Sequence, residues 1–352
     1  MSGACVMKID TWSLPRKIRS ALAGAMLLVA SPFVHAADSV PLDVVASFSV
    51  LGDMVRVIGG DHVALTTIVG PNGDAHTFEP TPKDARALSQ AKVLFVNGLG
   101  FESWMPRLVA ASGFKGQEVV ASKGVTPREL TPAEQALAAM EEKHERAPGR
   151  HAHASRAGAG SHGRDAQENS TDHAHIDPHA WQSLSNGLIY VQNITAALAA
   201  ADPRHADDYR EHARMYMQQI KTLDARIKQS LAAIPEARRK VVTSHDAFGY
   251  FGQAYGVQFI STVGISNEAE PSAKEVANII RQVRREHVPA VFIENISNAK
   301  LIRQISRETG AKVGGTLYSD ALAPPDQPAG TYLGMFEWNA GKLIYALDTK
   351  KQ

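Results

Sequence analysis

Histidine dominates the chemistry open to this chain, and one histidine is held differently from the rest. His179 sits in Asp177-Pro178-His179-Ala180-Trp181, directly after a polar, histidine-laden run and directly before ordered helical sequence. The Pro178 ring fixes its own φ and pushes Asp177 toward an extended conformation, so the imidazole that follows stands on a stiff turn. Such a residue suits transition-metal ligation. Three more residues share a telling placement, each where a predicted strand gives way to a loop. His76 follows a strand ending at Val69, His245 follows Val241–Ser244, and Asp320 follows a strand over 313–319. Ligands bind at that edge of open α/β sheets. Three imidazoles and one carboxylate make a closed four-coordinate set, which suits Zn²⁺ and is possible for Mn²⁺.

The elements that must position these residues read as strands alternating with helices. Val44–Phe48 is a predicted strand, Leu51–Ile58 a helix closed by Gly59-Gly60, and Ala64–Val69 a second strand. Lys83–Ala91 is predicted helical, and Val93–Val96 is an apolar run of buried-strand type. The second half repeats the grammar: Val241–Ser244 answers Val44–Ser47, Phe248–Tyr255 answers the first helix, and Val291–Asn295 answers Val93–Asn97. The repetition fits either an internal duplication or two lobes obeying one set of packing rules. Between the halves, Tyr209, Ala213, Tyr216, Ile220, Leu223, Ile227 and Leu231 recur every three or four residues, the stripe of one long amphipathic helix over 202–234. The expected fold is α/β: two lobes with parallel sheets flanked by helices, joined by one long rigid helix. The expected division is a signal peptide over 1–36, a first lobe over 37–201, the helix over 202–234 and a second lobe over 235–352.

The export reading rests on the first residues. Arg16, Lys17 and Arg19 precede an apolar run from Ala21 to Val34, and Val34-His35-Ala36 supplies a small-residue cleavage site. The single cysteine, Cys5, lies before that run, so the mature chain is expected to lack thiolate and disulfide alike. Metal must then be held by histidine and carboxylate. A formal net charge of +1 gives no argument for nucleic acid, and 44% hydrophobic with 21% charged residues is ordinary for a globular protein. Residues 143–175 carry His144, His151, His153, His162, His173 and His175 with almost no large apolar side chain. The composition predicts a disordered, metal-collecting loop.

Other polar residues carry weaker signals. Asp74, Glu79, Asn97 and Asp246 are candidates to accept the second N–H of a ligating histidine. Glu270 and Glu294 read equally as helix-start or structural charges, and His62, His205, His212 and His287 as solvated side chains. Ser244-His245-Asp246 cannot be a catalytic triad, because consecutive residues of an extended chain point to opposite sides. No P-loop, complete G-x-G-x-x-G or H-E-x-x-H occurs.

Four motifs taken together, Asp74–Pro80, Asp177–Trp181, Ser244–Phe251 and Leu317–Leu322, closely resemble those of the zinc/manganese solute-binding proteins of ABC importers, the cluster A-I or cluster 9 family. The resemblance spans the mature chain in order. It implies a monomeric, non-enzymatic periplasmic protein with metal buried between two lobes, ligated by His76, His179, His245 and Asp320. It further implies delivery to a membrane permease and its ATPase at the inner membrane. The histidine-rich loop and His245, where manganese-leaning members tend to have glutamate, favour zinc as the transported ion. A zinc hydrolase is the alternative of another class, and a filled four-ligand shell argues against it.

Overall fold

The computed structural model describes residues 40–145, 175–265 and 271–348. The expected signal peptide, Glu270 and nearly all of the histidine-rich 143–175 stretch lie outside the described residues. The first sheet contains β1 (Leu42–Phe48), β2 (Val63–Val69), β3 (Val93–Val96) and β4 (Gln117–Val120), in the order β2-β1-β3-β4. The second contains β5 (Lys240–Thr243), β6 (Gln258–Ser261), β7 (Ala290–Glu294) and β8 (Lys312–Leu317), in the order β6-β5-β7-β8. Every strand pairing within the two sheets is parallel. The two sheets therefore share one strand order, and the strands matched from sequence, Val44–Ser47 with Val241–Ser244 and Val93–Asn97 with Val291–Asn295, occupy equivalent positions.

Helices cover both sheets. The first half contributes α1 (Ser49–Gly59), α2 (Pro82–Gln90), α3 (Met105–Ser112), α4 (Pro132–Glu145) and α5 (Leu184–Ala201). The long α6 (Ala206–Ala232) follows, and then α7 (Gly249–Tyr255), α8 (Ala273–Arg285), α9 (Ala299–Thr309) and α10 (Tyr332–Leu347). β3 is buried along its whole length, as its unbroken apolar run requires when helices pack on both faces. Start signals are explicit: α2 opens with Pro82 and with the Asp84 carboxylate accepting the Thr81 N–H, and α8 uses a Ser272/Glu275 capping box.

All seven predicted stripe residues of α6 are buried. Its 27 residues span about 40 Å at 1.5 Å each, and it packs on α1 and α5 from the first half and on α7 and α10 from the second. It begins later than the sequence suggests. Asp202 accepts from His205 Nδ1 and the Tyr209 hydroxyl, and Pro203–His205 form a separate 3₁₀ turn before Ala206. β4, β6 and α10 have short or interrupted apolar patterns and carry little signal in the sequence. α10 ties the halves together: the Tyr332 N–H donates to Asp53 Oδ2 at 2.8 Å, and its hydroxyl donates to the Trp181 carbonyl at 2.7 Å. One apolar core runs continuously from the first sheet through α6 to α7 and α10, while a smaller one fills the space under α8 and α9. Among the described residues, no helix is long and apolar enough to cross a membrane.

Candidate metal centre

His76, His179, His245 and Asp320 converge. One ligand atom from each lies within 4.8 Å of all the others. The individual separations are shorter. His76 Nε2 is 3.2 Å from His179 Nε2 and 3.4 Å from Asp320 Oδ2, and His245 Nε2 is 3.0 Å from Asp320 Oδ2. His179 Nε2 is 3.6 Å from Asp320 Oδ1. The side chains of His179, His245 and Asp320 are fully buried, whereas that of His76 keeps 9% exposure and marks the side nearest solvent.

Each residue is fixed by its own surroundings. His76 hangs in the loop after β2. Its N–H donates to Asp74 Oδ1 at 2.9 Å, Trp104 Nε1 pins the neighbouring Ala75 carbonyl, and the Phe101 ring stands edge-on to the imidazole. For His179, Asp177 accepts from both the backbone N–H at 2.9 Å and ring Nδ1 at 2.8 Å. That second contact puts the proton on Nδ1 and leaves the Nε2 lone pair aimed at the cluster. Trp181 Nε1 and Gln182 Nε2 both donate to the Ser319 carbonyl, tying the His179 turn to the residue before Asp320.

In the second half, Glu294 at the end of β7 performs the corresponding task. Its Oε1 accepts the N–H groups of Ser244 and His245, and its Oε2 lies 2.7 Å from His245 Nδ1 as an ion-pair contact. His245 thus has a carboxylate at each ring nitrogen. Burial disfavours the imidazolium, but Glu294 and Asp320 outweigh it and hold the His245 pKa well above the usual histidine range. Burial likewise opposes ionisation of Asp320, and the neighbouring imidazoles of His245 and His179 reverse the balance, drawing its pKa well below the ordinary carboxylate value.

The partners of the histidines differ from those the sequence suggested. Asp74 bonds backbone rather than a ring, and Glu79 is exposed. Asn97 steadies the turn indirectly, donating from Nδ2 to the Pro178 carbonyl at 2.9 Å. Asp246 points into a separate buried group, where burial first and then the charges of Glu134 and Asp177 push its pKa up to about 8. Asp177 and Glu294 carry the role instead. The Asp-x-His spacing was a usable signal for the first, whereas Glu294 lies 49 residues from His245 and had none. His62, His205 and His212 also have structural partners. His62 Nε2 is 3.0 Å from Asp208 and its ring stacks on His205, while His212 Nδ1 bonds the Ile58 carbonyl.

The model of the family described as "Zinc-uptake complex component A periplasmic" matches residues 44–346. The chain belongs to the ZnuA family. Relatives include the manganese-binding lipoprotein MntA of Halalkalibacterium halodurans, 30% identical over 88% of this chain and 90% of that protein. The iron-binding protein YfeA of Yersinia pestis is 30% identical over 83% and 82% respectively. Among solved structures, the periplasmic zinc binding protein TroA of Treponema pallidum superposes with a TM-score of 0.72 at 26% identity, covering 88% of this chain and 99% of that one. ZnuA-family proteins are metal-binding components of ABC importers and not enzymes, and this removes the hydrolase alternative.

Proposed function

We propose that this ZnuA-family chain is a periplasmic zinc carrier that takes up one Zn²⁺ at His76, His179, His245 and Asp320 and hands it to a membrane permease and its ATPase. The observation carrying this reading is the spacing of the four donors. Neighbouring ligands on a tetrahedron with Zn–N bonds of about 2.0–2.1 Å are about 3.3–3.4 Å apart. The donor atoms here are separated by 3.0–3.6 Å where their contacts are closest. The Nε2 atoms of His76 and His179, 3.2 Å apart, hydrogen-bond to each other in the metal-free protein and stand close to the separation that two ligands of one zinc require. Three nitrogens and one oxygen form a donor set softer than the oxygen-rich shells preferred by Mn²⁺, which favours zinc over manganese. The relatives named for manganese and iron make the choice of metal a question for measurement.

A competitive titration of the purified protein with Zn²⁺ and Mn²⁺ tests the assignment. One zinc per chain, not displaced by excess manganese, is the expected outcome, and tighter manganese binding would reverse the metal. The export signal over 1–36 and the collecting role of 143–175 belong to the same reading on sequence grounds. Deleting 143–175 while keeping 176–181 should remove weak additional zinc equivalents and leave the tight one.

A further inference from the structure

The residues on either side of the 146–174 segment are stapled to each other. The Leu130 N–H donates to the His175 carbonyl at 2.8 Å, and the Asp177 N–H donates to the Arg128 carbonyl at 2.9 Å. Arg128 then grips Asp177 a second time, with Nη1 on Oδ2 at 3.0 Å, in a pair that is almost wholly buried. The two oxygens of Asp177 are thereby divided. Oδ2 belongs to Arg128, and Oδ1 is committed to the His179 backbone and ring.

Second-half residues close over this pair. The Tyr250 hydroxyl accepts the Arg128 N–H at 2.8 Å and donates to the Asp177 carbonyl at 3.3 Å. At Gly249, a Cβ would stand 2.3–2.5 Å from the Arg128 guanidinium and Asp177 Oδ2, so any side chain at the start of α7 would displace that pair. Arg128 Nη2 also bonds Glu134 on α4.

We infer that Arg128 is a positioning residue for the metal centre, holding Asp177 so that its Oδ1 fixes the tautomer and direction of His179. This inference rests on the zinc-site reading above. A buried carboxylate without Arg128 would lack its counter-charge and be free to turn. His179 would then lose the N–H acceptor that makes Nε2 the ligating atom. Carboxylates behind ligating histidines act in this way, and their loss typically costs about 10–100-fold in metal affinity. Arg128 acts one bond further out, through geometry alone.

The test compares the full chain with Arg128→Gln, Arg128→Lys, Glu134→Gln and His245→Ala, using zinc affinity by competition with a chelator and the visible spectrum of the Co²⁺-loaded protein. Arg128→Gln should weaken zinc about tenfold or more and change the Co²⁺ bands. Arg128→Lys should recover part of both, because charge returns without the guanidinium fork. Glu134→Gln should bind as wild type. A purely structural Arg128 would lower the melting temperature yet leave zinc affinity and the Co²⁺ spectrum unchanged, and that result overturns the inference. If Arg128→Gln does not fold, the folded Arg128→Lys protein decides: weaker zinc with altered bands supports the role, and wild-type values reject it. Failure of the site reading has a separate signature. His245→Ala would then bind zinc as wild type, and the inference falls with it.

Discussion

His245 lies two residues beyond the end of β5, and Asp320 three beyond the end of β8. His76, by contrast, comes seven residues after β2, and His179 follows no strand at all but stands on a Pro-led turn before α5. The sheets have the same order of parallel strands, yet the second supplies its residues of the candidate metal centre straight from strand ends and the first supplies them from loops. Each half compensates accordingly. Glu294, itself the last residue of β7, backs His245 from within the sheet. Asp177 backs His179 from the adjoining turn and is anchored by Arg128. A short strand-end connection inherits the rigidity of the ladder, while a loop needs side-chain brackets to hold an imbalance-free geometry. The partial exposure of His76 against the complete burial of His245 fits the same division.

The sharpest way to break this comparison is to remove donors from each half. His245→Ala or His179→Ala should weaken zinc by about a hundredfold or more, the scale of losing a direct ligand beyond the 10–100-fold of its supports. His76→Ala should cost less, because water can reach and replace an imidazole at the exposed side. His205→Ala and His287→Ala should leave affinity unchanged. Isothermal calorimetry with chelator competition measures all five, and equal losses at His76 and His245 would erase the difference between the halves.

Next come the supporting carboxylates. Glu294→Gln should weaken zinc about 10–100-fold, and Asp177→Asn by no more than that. Glu294 receives two backbone N–H groups and stands against the His245 ring, so its replacement disturbs both the strand end and that imidazole. A larger loss at Asp177 would reverse the ranking.

The effect of pH follows from His245. Its pKa in the metal-free protein is raised, so zinc must displace a proton even somewhat above pH 6.5, the ordinary imidazole value. Apparent affinity should therefore climb with pH through 6.5 and level off only above the raised pKa. For the metal-free fold the sign is opposite: the stabilisation from charged His245 is complete below about 6.5 and disappears as pH rises through the folded-state value. The gain in melting temperature on adding zinc should widen as pH increases. A zinc affinity flat between pH 5 and 8 would argue against these ligands.

The last expected effect is on stability rather than on zinc binding and concerns Asp246, beside the site but outside it. Its folded-state pKa of about 8 exceeds the unfolded 3.8, so folding favours its protonated form. The resulting stabilisation is present below about pH 4 and is lost progressively as pH rises to about 8. Asp246→Asn should raise the melting temperature of metal-free protein more at pH 8.5 than at pH 5. No difference between the two pH values would show that the carboxyl is not held protonated.

Much of this protein was legible in its sequence for local reasons. The unbroken apolar run Val93–Val96, the seven-residue stripe of α6 and the Pro-stiffened turn before His179 each declare themselves within a few residues. The placement of His245 and Asp320 after β-like runs was equally visible, since strand ends are set by nearby apolar pattern. Tertiary structure alone decided which charges serve the histidines. Asp246 adjoins His245 in sequence yet points elsewhere, and Asn97 reaches a carbonyl 81 residues away instead of a ring. Glu294 reaches His245 because β5 and β7 are neighbours in the second sheet, and Arg128 meets Tyr250 across 122 residues because the second half folds over the first. Such pairings depend on strand order and on how the halves pack, and no local periodicity carries that information.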